Sequence, residues 1–366
     1  MAAIRGWLRR LLLGLAVLFL GLPGASHAQD ARAQIGRKLS QAERDARAAS
    51  IPEKAKPRIL SDLAGARRDL DANRLYLATE KFLAAATDFR ALEFMTDHEE
   101  AARKGLPAFE TAWSREDRGL RELEKRYRRG NWASQSAALR ALAESNFAQA
   151  RPLYQGSHEF ALTSPQSGFY YLGNAREALE AALLCQSLHF PPAPRPRKLR
   201  SFAPEIRHLE KEVLTAYKPP QSIERHGDFI RINGSLKAAE EMDQAQLFDG
   251  ALYKYLQALR LFALLDARNA GTGRTEDSLE EISRLRTRLS SAPADDSIVE
   301  LLLEQAEAAL EPSGDGGAAG DTRTASVLLK TAIPAYYAAV EHEGDAGELP
   351  ATGEPVTVTL VRWPYT

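Results

Sequence analysis

The chain has 366 residues, enough for one extended helical array or two ordinary domains. Its 48 basic and 49 acidic residues nearly cancel, so no global field directs it to nucleic acid or to an anionic membrane, and partners must be chosen by local surface. Cys185 is the single cysteine, which excludes an intramolecular disulfide and any cysteine-built zinc or iron–sulfur centre.

The first residues read as an export signal. Arg5, Arg9 and Arg10 precede the apolar run Leu11 to Leu20, and Gly21, Pro23 and the small-residue triplet Ser26, His27, Ala28 follow it. That order predicts a secretory signal peptide over 1–28 with cleavage after Ala28. The Arg9–Arg10 pair lacks the polar lead-in of twin-arginine signals. No later segment is long and apolar enough to span a bilayer, so the mature chain is expected to be soluble and periplasmic or secreted, without a transmembrane anchor.

The mature sequence reads as all-α, with alanine, leucine, glutamate and arginine dominant and β-branched residues scarce until the last dozen positions. Residues 29–57 form a polar lead-in whose apolar content is too low to pack by itself. An N-terminal helical half is expected over 58–190. It begins with helices at Leu60 to Leu70 and Arg74 to Phe94, broken at Asp71 to Asn73, and the second carries Leu75, Ala78, Phe82, Ala85 and Phe89 on one side. A turn at Gly105 to Pro107 leads to a helix over Glu110 to Arg129. Its basic end, K-R-Y-R-R-G, complements the helix dipole, with Gly130 as the stop. Trp132 to Ala148 and Ala150 to Ala161 continue the helical pattern. Gly168 to Leu188 is then apolar around so much of its circumference that it must lie between neighbours, with Cys185 as a core thiol.

Pro191 to Lys198, P-P-A-P-R-P-R-K, is a proline-rich linker over 191–198 that forbids a helix. A C-terminal helical half is expected over 199–342, with helices at Pro204 to Tyr217, Asp228 to Gln246, Phe248 to Leu265, Glu276 to Leu289, Ser297 to Leu310 and Thr324 to Glu341. Pro334 should kink the last of these. The glycine-rich loop near Gly316 to Thr322 ends G-D-T where a phosphate loop needs G-K-T, so it reads as a linker. In the tail, 343–366, the alternation of Val356, Val358 and Leu360 predicts a short terminal β-strand.

A pattern of alanine, an apolar or small residue four later and a small residue three after that recurs. It falls at Ala78/Phe82/Ala85, Ala150/Tyr154/Ser157, Ala178/Ala182/Cys185, Ala251/Tyr255/Ala258 and Ala325/Leu329/Ala332. It resembles the second helix of a tetratricopeptide repeat, and F-Y-Y-L-G-N-A at Phe169 to Ala175 resembles the first, with Leu172 and Gly173 at the Leu-Gly position. Successive copies depart from the 34-residue spacing of that family. The resemblance implies an irregular array of antiparallel helical hairpins, a TPR-like solenoid, that binds a protein or peptide partner. It carries no particular binding residues over.

Catalytic chemistry is sparse. No two mature histidines stand three to five residues apart, and His98 in D-H-E-E reads as a solvated helix end, as do the acid pairs Glu99/Glu100, Glu240/Glu241 and Glu280/Glu281. No catalytic, cofactor-binding or metal-binding residue is assigned, and no cofactor is expected. The leading expectation is a non-enzymatic scaffold or adaptor in the bacterial cell envelope. The alternative is a peptidoglycan-directed enzyme. A-E-S-N-F at Ala143 to Phe147 with Gly168 to Tyr171 resembles elements of lytic transglycosylases, which would make Glu144 the acid. A non-catalytic glycan binder would instead need exposed aromatics such as Trp113 or Trp132.

Overall fold

The computed structural model describes residues 23–191, 195–219, 223–265, 275–312 and 320–340. Residues 1–22 of the expected signal peptide, part of the proline-rich linker, the core of the glycine-rich loop and the expected terminal strand lie outside the described residues. What is described is all-helical apart from one isolated bridge between Arg195 and Ala294.

Most of the expected polar lead-in is helical, in α1 (Pro23–Ala48), which packs on its neighbours rather than by itself. Ala31, Ile35, Leu39, Ala42 and Ala46 recur at helical spacing and are all buried, against α2 (Lys56–Asp71) and α3 (Leu75–Asp97). Alanine makes such a stripe look polar on average, yet it lets two helices approach closely. The break between α2 and α3 falls at the expected place, with Asn73 in the left-handed region at φ 62°.

A short α4 (Glu99–Arg103) ends at Gly105, whose φ of 82° suits glycine. Pro107 then occupies the first turn of α5 (Leu106–Arg129), so this helix begins a turn before the expected Glu110. Gly130 ends it in extended backbone at φ −64°. The expected helix start at Trp132 is displaced to Ser136, whose hydroxyl caps α6 (Ala137–Thr163) by accepting from Leu139 N. That helix runs unbroken through Pro152, since Leu142, Tyr154, Ser157 and Ala161 are buried along it and packing on α7 outweighs the lost backbone bond.

The central helix α7 (Pro165–Ser187) lies against α3, α5 and α6, as its apolar circumference requires. Phe169, Leu172, Ala175, Leu179 and Ala182 are buried on one face and Ala178, Ala181 and Cys185 on another. Each fully buried Leu or Phe contributes roughly 1.5–3 kcal/mol over its exposed state. Gly173 is the close-approach point, because a Cβ there would sit 2.9 Å from Phe94 Cβ and 3.1 Å from Ala91 Cα of α3.

Beyond the linker come α8 (Ala203–Ala216), a 3₁₀ turn (Ile223–Arg225), α9 (His226–Gln244) and α10 (Phe248–Leu265). The last helices are α11 (Thr275–Ser290), α12 (Ser297–Leu310), α13 (Thr322–Val327) and α14 (Ile333–Val340), the final pair joined by a π turn (Leu328–Ala332). Pro334 cannot donate to the carbonyl four residues back, and the widened turn just before it absorbs that loss, giving a bulge at the expected kink. Helix α10 packs on α6, and α12 packs on both α3 and α6, so residues on either side of the linker share one core running from Ala31 to Val340. All positions of the five alanine-pattern copies are buried in that core.

Candidate functional site: a carboxylate-capped cleft

Helix N-termini leave backbone N–H groups without partners, and here side chains distant in sequence supply them. Glu304 Oε2 of α12 accepts from Leu77 N at 2.7 Å in the first turn of α3. Asp295 Oδ2 accepts from Ala137 N at 2.7 Å, and Ser297 Oγ from Ala138 N at 2.9 Å, at the start of α6. Asp243 holds Phe202 N at 2.7 Å at the start of α8. The reciprocal bond runs from the first half to the second, with Glu144 Oε2 of α6 accepting from Gly250 N at 2.6 Å in the first turn of α10. Each of these oxygens accepts at the positive end of a helix dipole.

Glu144 also lines a cleft of about 340 Å³ together with Trp132, Arg140, Arg197, Phe248 and Asp249. Gln246, at φ 61°, turns the chain into α10 and sets Asp249 facing α6. Arg140 grips Asp249 through Nε at 2.7 Å and Nη2 at 3.1 Å. Arg197, from the linker, grips Asp296 through Nε at 2.6 Å and Nη2 at 3.1 Å. Both arginines are thus neutralised within the protein.

Burial pushes the Glu144 carboxyl up to about 8, the nearby Asp249 charge pushes the same way, and the Gly250 N–H opposes them. Burial also raises Asp249, against the pull of Arg140. An upward shift is the direction a general acid requires. Glu144 is also fastened to α10, and a Cβ on Gly250 would lie 2.8 Å from Glu144 Cβ.

The second transglycosylase-like element is not brought to Glu144. Gly168 to Tyr171 form the first turns of α7, beyond the end of α6 that lies roughly 30 Å along the helix from Glu144. There Phe169 packs edge-on to Phe109, with ring centres 5.2 Å apart, and Tyr170 Oη donates to Asp88 Oδ1 at 2.5 Å. His98 stacks between Phe94 and Phe169 with Nδ1 2.8 Å from Phe94 O, replacing the expected solvated end. Trp113 stacks on Tyr154 and donates to Tyr154 O at 3.0 Å, while Trp132 donates to Tyr127 O at 3.2 Å. Both indoles are half-buried, so neither is the exposed platform a glycan binder needs. Cys185 is buried, and burial raises its thiol to about 12. Among the described residues no group of three His, Cys, Asp or Glu side chains could hold a metal ion, and no helix is long and apolar enough to cross a membrane.

A second concavity, of about 370 Å³, is crossed by α1, α3, α5 and α7. Leu83, Ala86, Ala181 and Leu184 give it an apolar floor, and Lys38, Arg90, Arg126, Glu177 and Glu180 give it a rim of both charges. Arg90 is held by Glu93 and Asp45 at 2.6 and 2.7 Å. Burial raises Glu177.

No protein-family model matches this chain. No curated protein and no solved structure matches it either. Function must be argued from the chain's own surfaces.

Proposed function

We propose that this chain is an exported scaffold or adaptor of the bacterial cell envelope that takes a protein or peptide segment into the groove crossed by α1, α3, α5 and α7. The groove carries the reading: an apolar floor for side-chain anchors within a rim of both signs suits a peptide segment with mixed charge. Burial of all five alanine-pattern copies is in keeping with a TPR-like array of hairpins, the packing its resemblance implies. Export rests on the signal pattern over 1–28, and the terminal strand around Val356 to Val361 would add a second means of docking.

The test is affinity capture from envelope extract with protein starting at Gln29, beside Leu184→Asp and Glu180→Arg forms and a form ending at Glu348. A discrete partner lost from the groove variants supports the reading. Capture unchanged by both groove substitutions rejects it, and loss only in the shortened form moves docking to the strand.

Glu144 favours a second reading, a peptidoglycan-directed enzyme, because a carboxyl raised by burial lines a cleft. Release of muropeptides from sacculi, abolished in Glu144→Gln, would be needed to keep it.

A further inference from the structure

Among the described residues six large apolar side chains are exposed, and three of them, Leu214 (61%), Ile223 (58%) and Ile230 (57%), belong to the corner where α8 gives way to α9. The two helix ends are tied together. Tyr217 packs its ring 4.8 Å from that of Phe229, and its hydroxyl lies 2.8 Å from His226 Nδ1, tying the end of α8 to the start of α9. Exposed aliphatic side chains grouped in one region mark an interaction surface.

Helix α9 adds the shape of what fits there. Phe229, Ile232, Leu236, Ala239 and Met242 bury one side of it against α8, α10 and α6. On the other side Gly227, Ile230, Gly234, Lys237 and Glu241 follow at helical spacing, and all are exposed. A Cβ at Gly227 or Gly234 would meet nothing within 4 Å, so nothing inside this chain requires glycine at either position. Gly234, in the helix interior, costs about 1 kcal/mol relative to alanine. What the pair does offer is a notch beside a projecting isoleucine.

We infer that α9 pairs with the α9 of a second copy of this chain, antiparallel, each Ile230 seated over the other copy's Gly234. The occupant follows from complementarity. The register that sets Ile230 opposite Gly234 also sets Lys237 opposite Gly227, near the exposed Glu224, while Asp228 stays with Arg231 and Lys237 comes no nearer its own Glu241 than 3.9 Å. Knob meets notch, and Lys237 of each copy meets Glu224 of the other, as a two-fold interface demands. This inference does not depend on the proposed function.

The experiment is sedimentation velocity on protein starting at Gln29, across a hundredfold range of concentration. A concentration-dependent dimer is expected. Ile230→Glu and Gly234→Leu should each return it to monomer, with helical circular dichroism unchanged because both positions face open space. Asn233→Cys, close to the two-fold axis, should oxidise to a covalent dimer, while the buried Cys185 of the parent chain should not. A chain monomeric throughout overturns the inference, even if the same corner binds anionic vesicles or another protein. A dimer that survives both substitutions overturns it equally.

Discussion

Glu144 Oε2 accepts the backbone N–H of Gly250 at 2.6 Å, joining the middle of α6 to the first turn of α10 across 106 positions of sequence. The same carboxyl borders an open cleft, so one side chain is both a structural tie and the most reactive-looking group of the site. These two roles respond differently to pH and to substitution.

Stability should fall as pH rises. The Glu144 carboxyl is raised in the folded state to about 8 from an ordinary value near 4.5, so the fold takes up a proton that the unfolded chain releases earlier. The proton's contribution is complete below the unfolded value and is lost as pH climbs through the folded one. Urea unfolding between pH 5 and 9 should show a declining midpoint, and Glu144→Gln, which cannot lose a proton, should flatten the decline. A midpoint that rises over that range would contradict the sign.

Glu304 separates the worth of an acceptor from that of a charge. Burial holds its carboxyl well above the usual carboxylate range, and it accepts from Leu77 N. Glu304→Gln keeps the acceptor and should stay within about 1 kcal/mol of the parent. Glu304→Ala strands the N–H in the interior and should cost about 1–3 kcal/mol in denaturant unfolding.

Two glycines should answer a methyl with opposite signs. Gly173→Ala drives a Cβ against Ala91 Cα and Phe94 Cβ and should cost about 1–3 kcal/mol. At Gly65, inside α2, the nearest atom is an Arg68 nitrogen at 3.9 Å, so Gly65→Ala should gain about 0.5–1 kcal/mol. Thermal unfolding of the pair, measured side by side, tests whether the α3–α7 contact is as tight as described.

Cys185 should report global opening. With the thiol fully buried and raised to about 12, alkylation by iodoacetamide at pH 8 should be negligible in native protein and should rise with urea along the unfolding curve. Fast labelling without denaturant would place the thiol nearer the surface.

Long-period apolar stripes were the legible part of this fold. Phe248–Leu265 and Ser297–Leu310 carry enough leucine, phenylalanine and tyrosine that their expected and observed bounds agree. Helix α1 hid its buried stripe because alanine supplies three of its five positions, and the start of α6 hid because Ser136 outbids Trp132 as a helix origin. At the site, Glu144 could be noticed as a carboxylate but not as a cap. Its partner is a backbone N–H 106 residues away, and a backbone group leaves no mark on sequence. The pairing of Asp295 with Ala137 N was hidden for the same reason.

The long-range caps also impose an order of events. The acceptor for α3 lies 227 residues downstream of Leu77, and that for α6 lies 158 residues downstream of Ala137. A ribosome delivers the N-terminal part first, and that part waits with its helix origins unsatisfied until α12 arrives, because contacts so distant form late. A polypeptide that must be threaded through a narrow translocation channel before it folds would gain from that delay.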